Sequence, residues 1–271
     1  MKLITVGDNV ADTYVDSHIF YPGGNCVNVA VDAKKAGAVA VGYMGVFGND
    51  KQAEHIQEAL RDENVDLINC RQIYAPTAQP SVFITADGDR QFAAGPKGSA
   101  QHLVKLRLTP EDVQNISEYD VLHTGIDANI DQELVTLKSS VKIGYDFSDV
   151  KDEEYLAEVL PNVNYAFFSG SEMTDEMAEE FAKSCLAQGP DIVVVTRGGQ
   201  PALVMSKDAY CYQEPQLADI VDTMGAGDSF IAGFLVAYTD THDSQAAALA
   251  ASQSAANTCG VSGGFGHGQA Y

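Results

Sequence analysis

The chain has 271 residues, of which 45% are hydrophobic and 20% charged, a composition typical of a folded globular protein and not of a disordered one. That length suits one large α/β domain, or a core with a small appendage. The formal net charge of −22 argues against nucleic-acid binding, because nucleic-acid phosphates require a basic surface. We attribute this charge to solubility or adaptation to salt, with attraction of a cationic substrate as the alternative.

Targeting and redox signals are equally restrictive. The longest apolar stretch, residues 230–238, is far shorter than the roughly 20 residues that span a bilayer. The N-terminal "MKLITVGDN" has the pattern of a strand, so we expect no signal peptide, a cytoplasmic location and no membrane partner. Five scattered cysteines without a CxxC pair predict reduced thiols and no structural zinc.

The first half of the chain alternates between strands and helices. "LITVG" predicts a strand, and "NCVNVAVDAKKAGA" predicts a helix that ends at Gly37. "VAVGYMGVFG" predicts a second strand and "DKQAEHIQEALRDE" an amphipathic helix.

The alternation continues toward the C-terminus. Four more apolar runs of strand length are "YDVLHTG", "VKIGYDFS", "YAFFSG" and "DIVVVTRGG". Helices begin between them at caps such as Thr109-Pro110 and Thr174. Continuous apolar strands separated by helices predict a doubly wound α/β fold, in which helices cover both faces of a mostly parallel sheet and make three layers.

Two stretches interrupt this alternation. "QPSVFITADGDRQFAAG" contains two short strands around Asp87-Gly88, a strong hairpin signal. Residues 11–22 offer a further strand. We therefore expect a single domain over residues 1–271, with a small β-sheet formed within about 11–22 and 72–98.

The stretch "DTMGAGDSF", residues 222–230, precedes an apolar helix. Gly225 and Gly227 permit a sharp turn and close approach of a ligand, and the helix adds unpaired amides and partial positive charge. Together they predict an anion site suited to a phosphoryl group. Asp228 lies at its edge, where a carboxylate can accept a proton from an attacking hydroxyl. The alternative is a tight turn with Asp228 as a simple helix cap.

Other phosphate motifs are missing from the sequence. There is no GxxxxGK[ST], and the glycine pattern does not fit GxGxxG, since position 230 is Phe. Both absences disfavour a P-loop NTPase and a dinucleotide enzyme.

"DTMGAGDSFIAGF" resembles the C-terminal signature of the PfkB (ribokinase-like) carbohydrate kinases, and "PGGNCVNVA" at residues 22–30 resembles the family's other signature. Two signatures about 200 residues apart, in the family's order, are far more specific than either alone. The resemblance spans essentially the whole chain and implies a ribokinase-like fold whose small β-sheet is a lid. Within the family, "GDNVAD" and "DFSD" at 146–149 look most like bacterial kinases of ketosamines such as fructoselysine.

The resemblance implies roles for the two signatures. Asp228 would take the proton from the sugar's primary hydroxyl, and the amides of Gly225, Ala226 and Gly227 would stabilise the transferred phosphoryl group. The implied sugar site consists of Asp8, Asp12, Gly23, Gly24 and Asn28. Asp8 follows the first strand, where open α/β sheets bind ligands. Without the resemblance, Asp12 reads as a solvated loop acid and Asn28 as an exposed helix residue.

A nucleotide site is implied further along. Thr196 and Gly198 in "VTRGG" would line it, and Asn257 would contact the adenine; plain architecture and a surface position are the alternatives. The implied cofactors are ATP and Mg²⁺, with Glu172 ordering the Mg²⁺ through water, and dependence on a monovalent cation stays open. Three departures from the family pattern are Ser169, in place of an asparagine, Pro201, in place of a glycine in the nucleotide loop, and "SGG" at residues 262–264, where Gly-Ala is common.

The sequence thus predicts an ATP-dependent sugar kinase that acts on the 6-hydroxyl of a ketosamine such as fructoselysine. The alternatives are a fructokinase, a ribokinase or nucleoside kinase, and, from another class, a non-catalytic sugar or nucleotide sensor. An intact Asp228 favours the enzyme, because a pure binder needs no base.

The sequence leaves open the roles of three further residues and the oligomeric state. Asp146 and Asp149 are candidates to meet a cationic amine, with a capped loop as the alternative. Arg90 either reaches over the substrate or is a solvated turn residue. The resemblance implies a homodimer through the lid.

Overall fold

The computed structural model of the chain describes residues 1–84, 90–93 and 98–271. The predicted Asp87-Gly88 turn and the side chain of Arg90 lie outside the described part. The strands are β1 Lys2–Gly7, β2 Val10–Tyr14, β3 Ile19–Gly23, β4 Ala40–Phe47, β5 Asp66–Leu67, β6 Arg71–Gln72, β7 Ser81–Ile84, β8 Arg90–Ala93, β9 Val121–Gly125, β10 Lys142–Asp146, β11 Tyr165–Ser169, β12 Ile192–Arg197, β13 Gln200–Ser206, β14 Tyr210–Gln213 and β15 Gln269–Ala270. The helices are α1 Asn25–Lys35, α2 Lys51–Asp62, α3 Ala100–Leu103, α4 Pro110–Ile116, α5 Leu134–Leu137, α6 Glu153–Val159, α7 Asp175–Leu186, α8 Ala226–Thr241 and α9 Ser244–Cys259.

A large, mostly parallel sheet forms the centre of the molecule. Its strands follow the order β14-β13-β12-β11-β10-β9-β1-β4-β5, with β6 paired to β4. The strands from β12 to β5 are parallel, whereas β13 and β14 are antiparallel. The predicted doubly wound sheet is therefore confirmed.

Both faces of this sheet are buried under helices. On β1, Leu3 packs into a core with α1, α2, α8 and α9, while the next residue, Ile4, packs into a second core with α4, α5, α6 and α7. Successive side chains of a strand point to opposite faces, so strands with apolar residues at every position require cover on both sides. This burial explains the continuous apolar runs in the sequence.

A second, small sheet has the order β15-β3-β2-β7-β8. Residues 11–22 contribute most of two strands, β2 and β3, which pair antiparallel through contacts such as Asp12 opposite Tyr21. Within 72–98, β7 pairs with β2 and β8 pairs with β7. The chain's last strand, β15, joins the edge of β3, an addition that the sequence did not indicate. Pairing of two small sheets in a homodimer stays a prediction.

None of the helices in the described part of the chain is long and apolar enough to cross a membrane.

Candidate active site

Helix α1 begins beside the carboxyl end of β1, and Asp8 connects the two. Its N-cap, Gly24, has a φ of 103° and no side chain to cap the helix. The Asp8 carboxylate takes that role, accepting hydrogen bonds from the backbone N–H of Asn25 (2.9 Å) and of Cys26 (3.1 Å). A Cβ on Gly24 would lie 2.7 Å from Asp8 Oδ2, so this contact requires glycine. Burial raises the pKa of Asp8, and the Cys26 amide opposes that rise.

Asp228 lies in the first turn of α8, directly facing α1. Its half-buried carboxylate accepts hydrogen bonds from Asn28 Nδ2 (2.7 Å) and from Asn25 Nδ2 (2.8 Å). Burial raises the pKa of Asp228 to about 6, the two amides lower it, and the charge of Asp8 raises it again. Asp228 is therefore mostly ionised at neutral pH and has a pKa close enough to 7 to accept a proton from a substrate.

The turn before α8 has the geometry of an anion site. Gly225 has a φ of 74°, and a Cβ there would lie 2.9 Å from Gly264 Cα. The Ala226 N–H donates to the carbonyl of Thr223 (3.2 Å). Among the described residues, no acceptor faces the amides of Gly225 or Gly227, and a Cβ on Gly227 would meet nothing within 4 Å. Unpaired amides at a helix start can accommodate an anion. We call this turn, residues 223–227, the anion turn.

Asp222 ties this turn to the small sheet. Its Oδ1 accepts a hydrogen bond from the Met224 N–H (2.8 Å). Its Oδ2 accepts from the Gly263 N–H (2.9 Å) and from the hydroxyl of Tyr14 on β2 (2.6 Å). Asp222 therefore connects β2 of the small sheet directly to the turn before α8.

Asp12 reaches the same region from the small sheet. It is only 4% exposed, and its carboxylate has no hydrogen bond to any described residue. A Cβ on Gly23 would lie 2.0 Å from Asp12 Oδ2, so Gly23 leaves the space that this carboxylate occupies. Burial raises the pKa of Asp12 to about 7, and the nearby charges of Asp228 and Asp8 add to the effect.

Asp146 ends β10 and faces the same space. Its carboxylate accepts hydrogen bonds from Asn25 Nδ2 (2.8 Å) and from the Ser148 N–H (2.8 Å). Burial, followed by the charge of Asp228, raises its pKa to about 7. Asp149 is exposed and has no contact with this group among the described residues.

Four carboxylates thus form an acidic cluster, which consists of Asp8, Asp12, Asp146 and Asp228. Each of them has a raised pKa. No described lysine or arginine forms a hydrogen bond or ion pair with any of the four. A cationic group on a ligand would therefore be attracted to this cluster.

A cavity of about 530 Å³ borders the anion turn at Ala226 and Gly227. We call it the loop cavity, because the loop of residues 213–220 forms much of its wall. Thr196 and Gly198 line it, as predicted for the nucleotide site, and so do Ala226 and Gly227 of the anion turn. The loop cavity therefore opens onto the site where a phosphoryl group would bind.

Asn257 is not part of this cavity. Its side chain is exposed and accepts a hydrogen bond from Gln253 Nε2 (3.2 Å). The residues of α9 that line the cavity are Ser252, Ala255, Ala256 and Cys259. These positions share one helical face, and Asn257 points away from it, so the adenine role expected for Asn257 lacks support from its position.

Glu172 follows β11 in an exposed loop, where it forms an ion pair with Lys151. That contact lowers the pKa of Glu172. Within the described residues, no cluster of three or more His, Cys, Asp or Glu side chains suits a metal ion. Ser169 is exposed at the end of β11, and the Pro201 carbonyl accepts a hydrogen bond from Arg197 Nε (2.8 Å). A metal role for Glu172 could therefore act only through water or through a bound phosphate.

The family model of the pfkB family carbohydrate kinases matches residues 3–265. The chain belongs to this family. Membership in a kinase family decides against the non-catalytic sensor and confirms the predicted carbohydrate kinase.

Two relatives with substantial sequence identity are named as kinases of ketosamines. The chain is 43% identical to the fructosamine kinase FrlD of Bacillus subtilis (strain 168), over 100% of this chain and 95% of that protein. It is 31% identical to the fructoselysine 6-kinase of Escherichia coli (strain K12), over 88% of this chain and 89% of that protein. The structure of Arabidopsis thaliana ribokinase complexed with ribose and ATP superposes with a TM-score of 0.81 at 20% identity, covering 95% of this chain and 92% of that one. This last match confirms the ribokinase-like fold.

Two residues of the site went unnoticed in the sequence. Asn25 bonds to two members of the acidic cluster, and His123 Nε2 lies 2.8 Å from Asn25 Oδ1. A signal for Asn25 was present, since a polar residue directly after the Gly-Gly pair occupies the first turn of a helix at a strand edge. His123 lies inside an apolar strand and carried no comparable signal.

Proposed function

We propose that this pfkB-family kinase transfers the γ-phosphoryl group of ATP to the 6-hydroxyl of a ketosamine, a sugar derivative that carries an ammonium group, such as fructoselysine. The observation that carries the proposal is the acidic cluster, whose four carboxylates have no described cationic partner. A neutral sugar offers only hydroxyls to such a site, whereas an ammonium group also neutralises part of its charge. The names of the relatives from B. subtilis and E. coli support the same substrate class.

In the proposed reaction, Asp228 accepts the proton of the 6-hydroxyl as its oxygen attacks the γ-phosphorus. A new O–P bond forms, the bond to the bridging oxygen of the β-phosphate breaks, and ADP leaves with that bond's electrons. The amides of Gly225 and Gly227, at the N-terminus of α8, stabilise the charge on the phosphoryl oxygens. Ala226 contributes less, because its N–H already donates within the turn.

The other polar groups of the cluster position the sugar. Asp12 has acceptor capacity to spare for sugar hydroxyls or the ammonium group, because no described residue bonds to it. Asp8 uses both carboxylate oxygens to cap α1, so its second lone pairs would serve the sugar. Three other predicted residues act by positioning the carboxylates. Gly23 leaves space for Asp12, Gly24 leaves space for Asp8, and Asn28 donates a hydrogen bond to Asp228.

The loop cavity is the proposed ATP site, with Thr196 and Gly198 in its wall and the phosphates directed toward the anion turn. The Arabidopsis ribokinase of the same fold was solved with ATP. Mg²⁺ would neutralise the phosphates during transfer, held mainly by the ATP itself and by Glu172 through water, since Mg²⁺ retains several waters in such sites. The small sheet would close as a lid and exclude competing water, with Asp12 moving as part of it.

A substrate panel tests this proposal. Fructose, ribose, a nucleoside and fructoselysine are each assayed with ATP, and the position of the new phosphate is determined by ³¹P NMR. We expect the highest kcat/KM on fructoselysine, with the phosphate on the 6-hydroxyl. A higher kcat/KM on ribose or on the nucleoside would overturn the ketosamine assignment.

A further inference from the structure

Asn25 lies between two members of the acidic cluster. Its Nδ2 group donates to Asp228 Oδ1 (2.8 Å) and to Asp146 Oδ2 (2.8 Å). These two carboxylate oxygens are therefore at most about 5.6 Å apart, twice the hydrogen-bond length. The Asn25 carbonyl oxygen lies 2.8 Å from Nε2 of His123, which is buried in β9. One side-chain amide thus connects α1, α8, β9 and β10.

The partners of Asn25 define its orientation. The carboxylate of Asp228 is mostly ionised at neutral pH and then only accepts hydrogen bonds, so the NH₂ group must face Asp228, and the oxygen must face His123. That oxygen needs a donor, which places the imidazole hydrogen on Nε2. Burial lowers the pKa of His123 to about 3, so the ring is neutral near pH 7 and has a single N–H to give. Its Nδ1 has no partner within the described residues.

We propose that Asn25 and His123 are positioning residues for phosphoryl transfer: His123 fixes the Asn25 amide, and that amide keeps the Asp228 carboxylate ionised and aimed at the sugar hydroxyl. The inference rests on the proposed function, since it takes Asp228 as the base. An amide turned by 180° would point its oxygen at two carboxylates. Asp228 would then lose a donor and face a negative dipole.

Acidic groups surround Asp228 from every neighbouring element. The titratable groups that interact with Asp228, or with its immediate neighbours, are Asp8, Asp12, Cys26, Asp32, Lys35, Glu63, His123, Asp127, Asp146 and Asp222. Lys35 is the cation in this set, and it acts on Asp32, whereas the groups that bond directly to Asp228 are the amides of Asn25 and Asn28, which stabilise the ionised base. Removing the Asn25 side chain takes one hydrogen-bond donor away from the Asp228 carboxylate. It also removes the amide that lies between Asp228 and Asp146, so the two carboxylates repel each other more strongly. Both changes raise the pKa of the base.

The test is the pH dependence of kcat/KM for the sugar, measured with Asn25→Ala and His123→Leu. In the wild-type enzyme, the acid limb reports the protonation of the free base. We expect the acid limb to move up by about one pH unit in Asn25→Ala, in line with the loss of a hydrogen bond to a charged group. His123→Leu should move it in the same direction by less. His123→Gln can still offer an N–H near the position of Nε2, and it should restore the wild-type profile.

Thr124→Val serves as the matched control. Thr124 is the next residue of β9, is equally buried and donates its hydroxyl to the Val6 carbonyl (2.7 Å), away from the acidic cluster. Its acid limb should stay at the wild-type pH. If Asn25→Ala does not fold, Asn25→Ser retains one donor and should show a smaller shift in the same direction.

Two outcomes would overturn the inference. An acid limb that stays in place while activity falls equally at all pH values would mean that Asn25 is only structural. A His123→Gln profile identical to that of His123→Leu would remove His123 from the role. The variant Asp228→Asn separates this test from the proposed function, because normal turnover in that variant would refute the base itself, whatever the Asn25 profile shows.

Discussion

The acidic cluster and the loop cavity both adjoin the anion turn, the cluster through Asp228 and the cavity through Ala226 and Gly227, and they are built in opposite ways. The cluster is acidic, and two of its carboxylates, those of Asp146 and Asp228, accept hydrogen bonds from the asparagines of α1. The loop cavity is open, and its wall includes small residues, backbone and the exposed side chains of Leu217 and Ile220. Under the proposed function, chemistry and sugar selection depend on the carboxylates, whereas nucleotide binding depends mainly on shape and on backbone amides.

The largest expected effect is at the centre of the acidic cluster. Asp228→Asn keeps the shape of the side chain but cannot accept the proton, so we expect kcat to fall by about 10²- to 10⁴-fold. Binding of sugar and ATP, measured by calorimetry, should largely survive. Asp208→Asn is the control, because Asp208 is exposed in the turn between β13 and β14. Near-normal turnover in Asp228→Asn would show that the base is another group.

The anion turn, which adjoins both regions, is the site of a smaller expected effect on activity. Two glycine variants there form a matched pair. A Cβ on Gly227 meets nothing within 4 Å, and Gly227 lines the loop cavity, the proposed ATP site. Gly227→Ala should therefore lower kcat/KM for ATP by about tenfold or more, while a better helix former leaves Tm unchanged or slightly higher. Gly225→Ala should instead lower Tm, since Gly225 has a φ of 74° and a Cβ would lie 2.9 Å from Gly264 Cα. Equal Tm values for the two variants would contradict this account of the turn.

The smallest expected effect is on stability, and it comes from Asp32, a buried carboxylate of α1 outside the acidic cluster. Asp32 lies one turn after Asn28 in α1 and is 3% exposed, and its Oδ2 has no partner among the described residues. Burial raises the pKa of Asp32 to about 8, whereas an unfolded aspartate has its ordinary value near 4. Between these values the folded state binds more protons than the unfolded state, so this group makes the free energy of unfolding fall as the pH rises from about 4 to about 8.

Asp32→Asn removes that charge. The Tm of the variant, relative to wild type, should therefore increase between pH 5 and pH 8, by about 2 to 4 °C for each kcal/mol recovered. Asp62→Asn, at an exposed position of α2, should show no such trend. A constant Tm difference at all pH values would mean that Asp32 does not titrate in this range.

The sequence predicted most of the fold because its signals are local. Alternation of apolar strands and capped helices indicated the doubly wound sheet, and a strand such as β1 carries that signal within six residues. β15 could not be predicted, since Gln269–Ala270 is exposed and pairs with β3 only because the folded chain brings its end there. The adenine role of Asn257 stays a prediction, and it depends on the rotation of α9, where a shift of one position changes the face that a residue occupies.

The site could be inferred from the sequence where a signature contains its residues, as for Gly225 and Asp228, whose roles stay predictions. It was not predictable where contacts depend on distant parts of the chain. Asn25 meets His123, Asp146 and Asp228 across 98, 121 and 203 residues of sequence. No local pattern contains that information, because only the packing of α1 against α8 and the ends of β9 and β10 brings these groups together.

The most direct test of the central claim isolates the charge of the substrate. The kcat/KM for the ketosamine of a simple alkylamine, whose only charge is its ammonium group, is compared with that for its N-acetylated form, which has the same sugar but no ammonium group. We expect the charged form to be preferred by at least about tenfold at low salt, and the preference to shrink as ionic strength rises. Equal kcat/KM values for the two forms, at low and at high salt, would contradict recognition of the ammonium group by the acidic cluster.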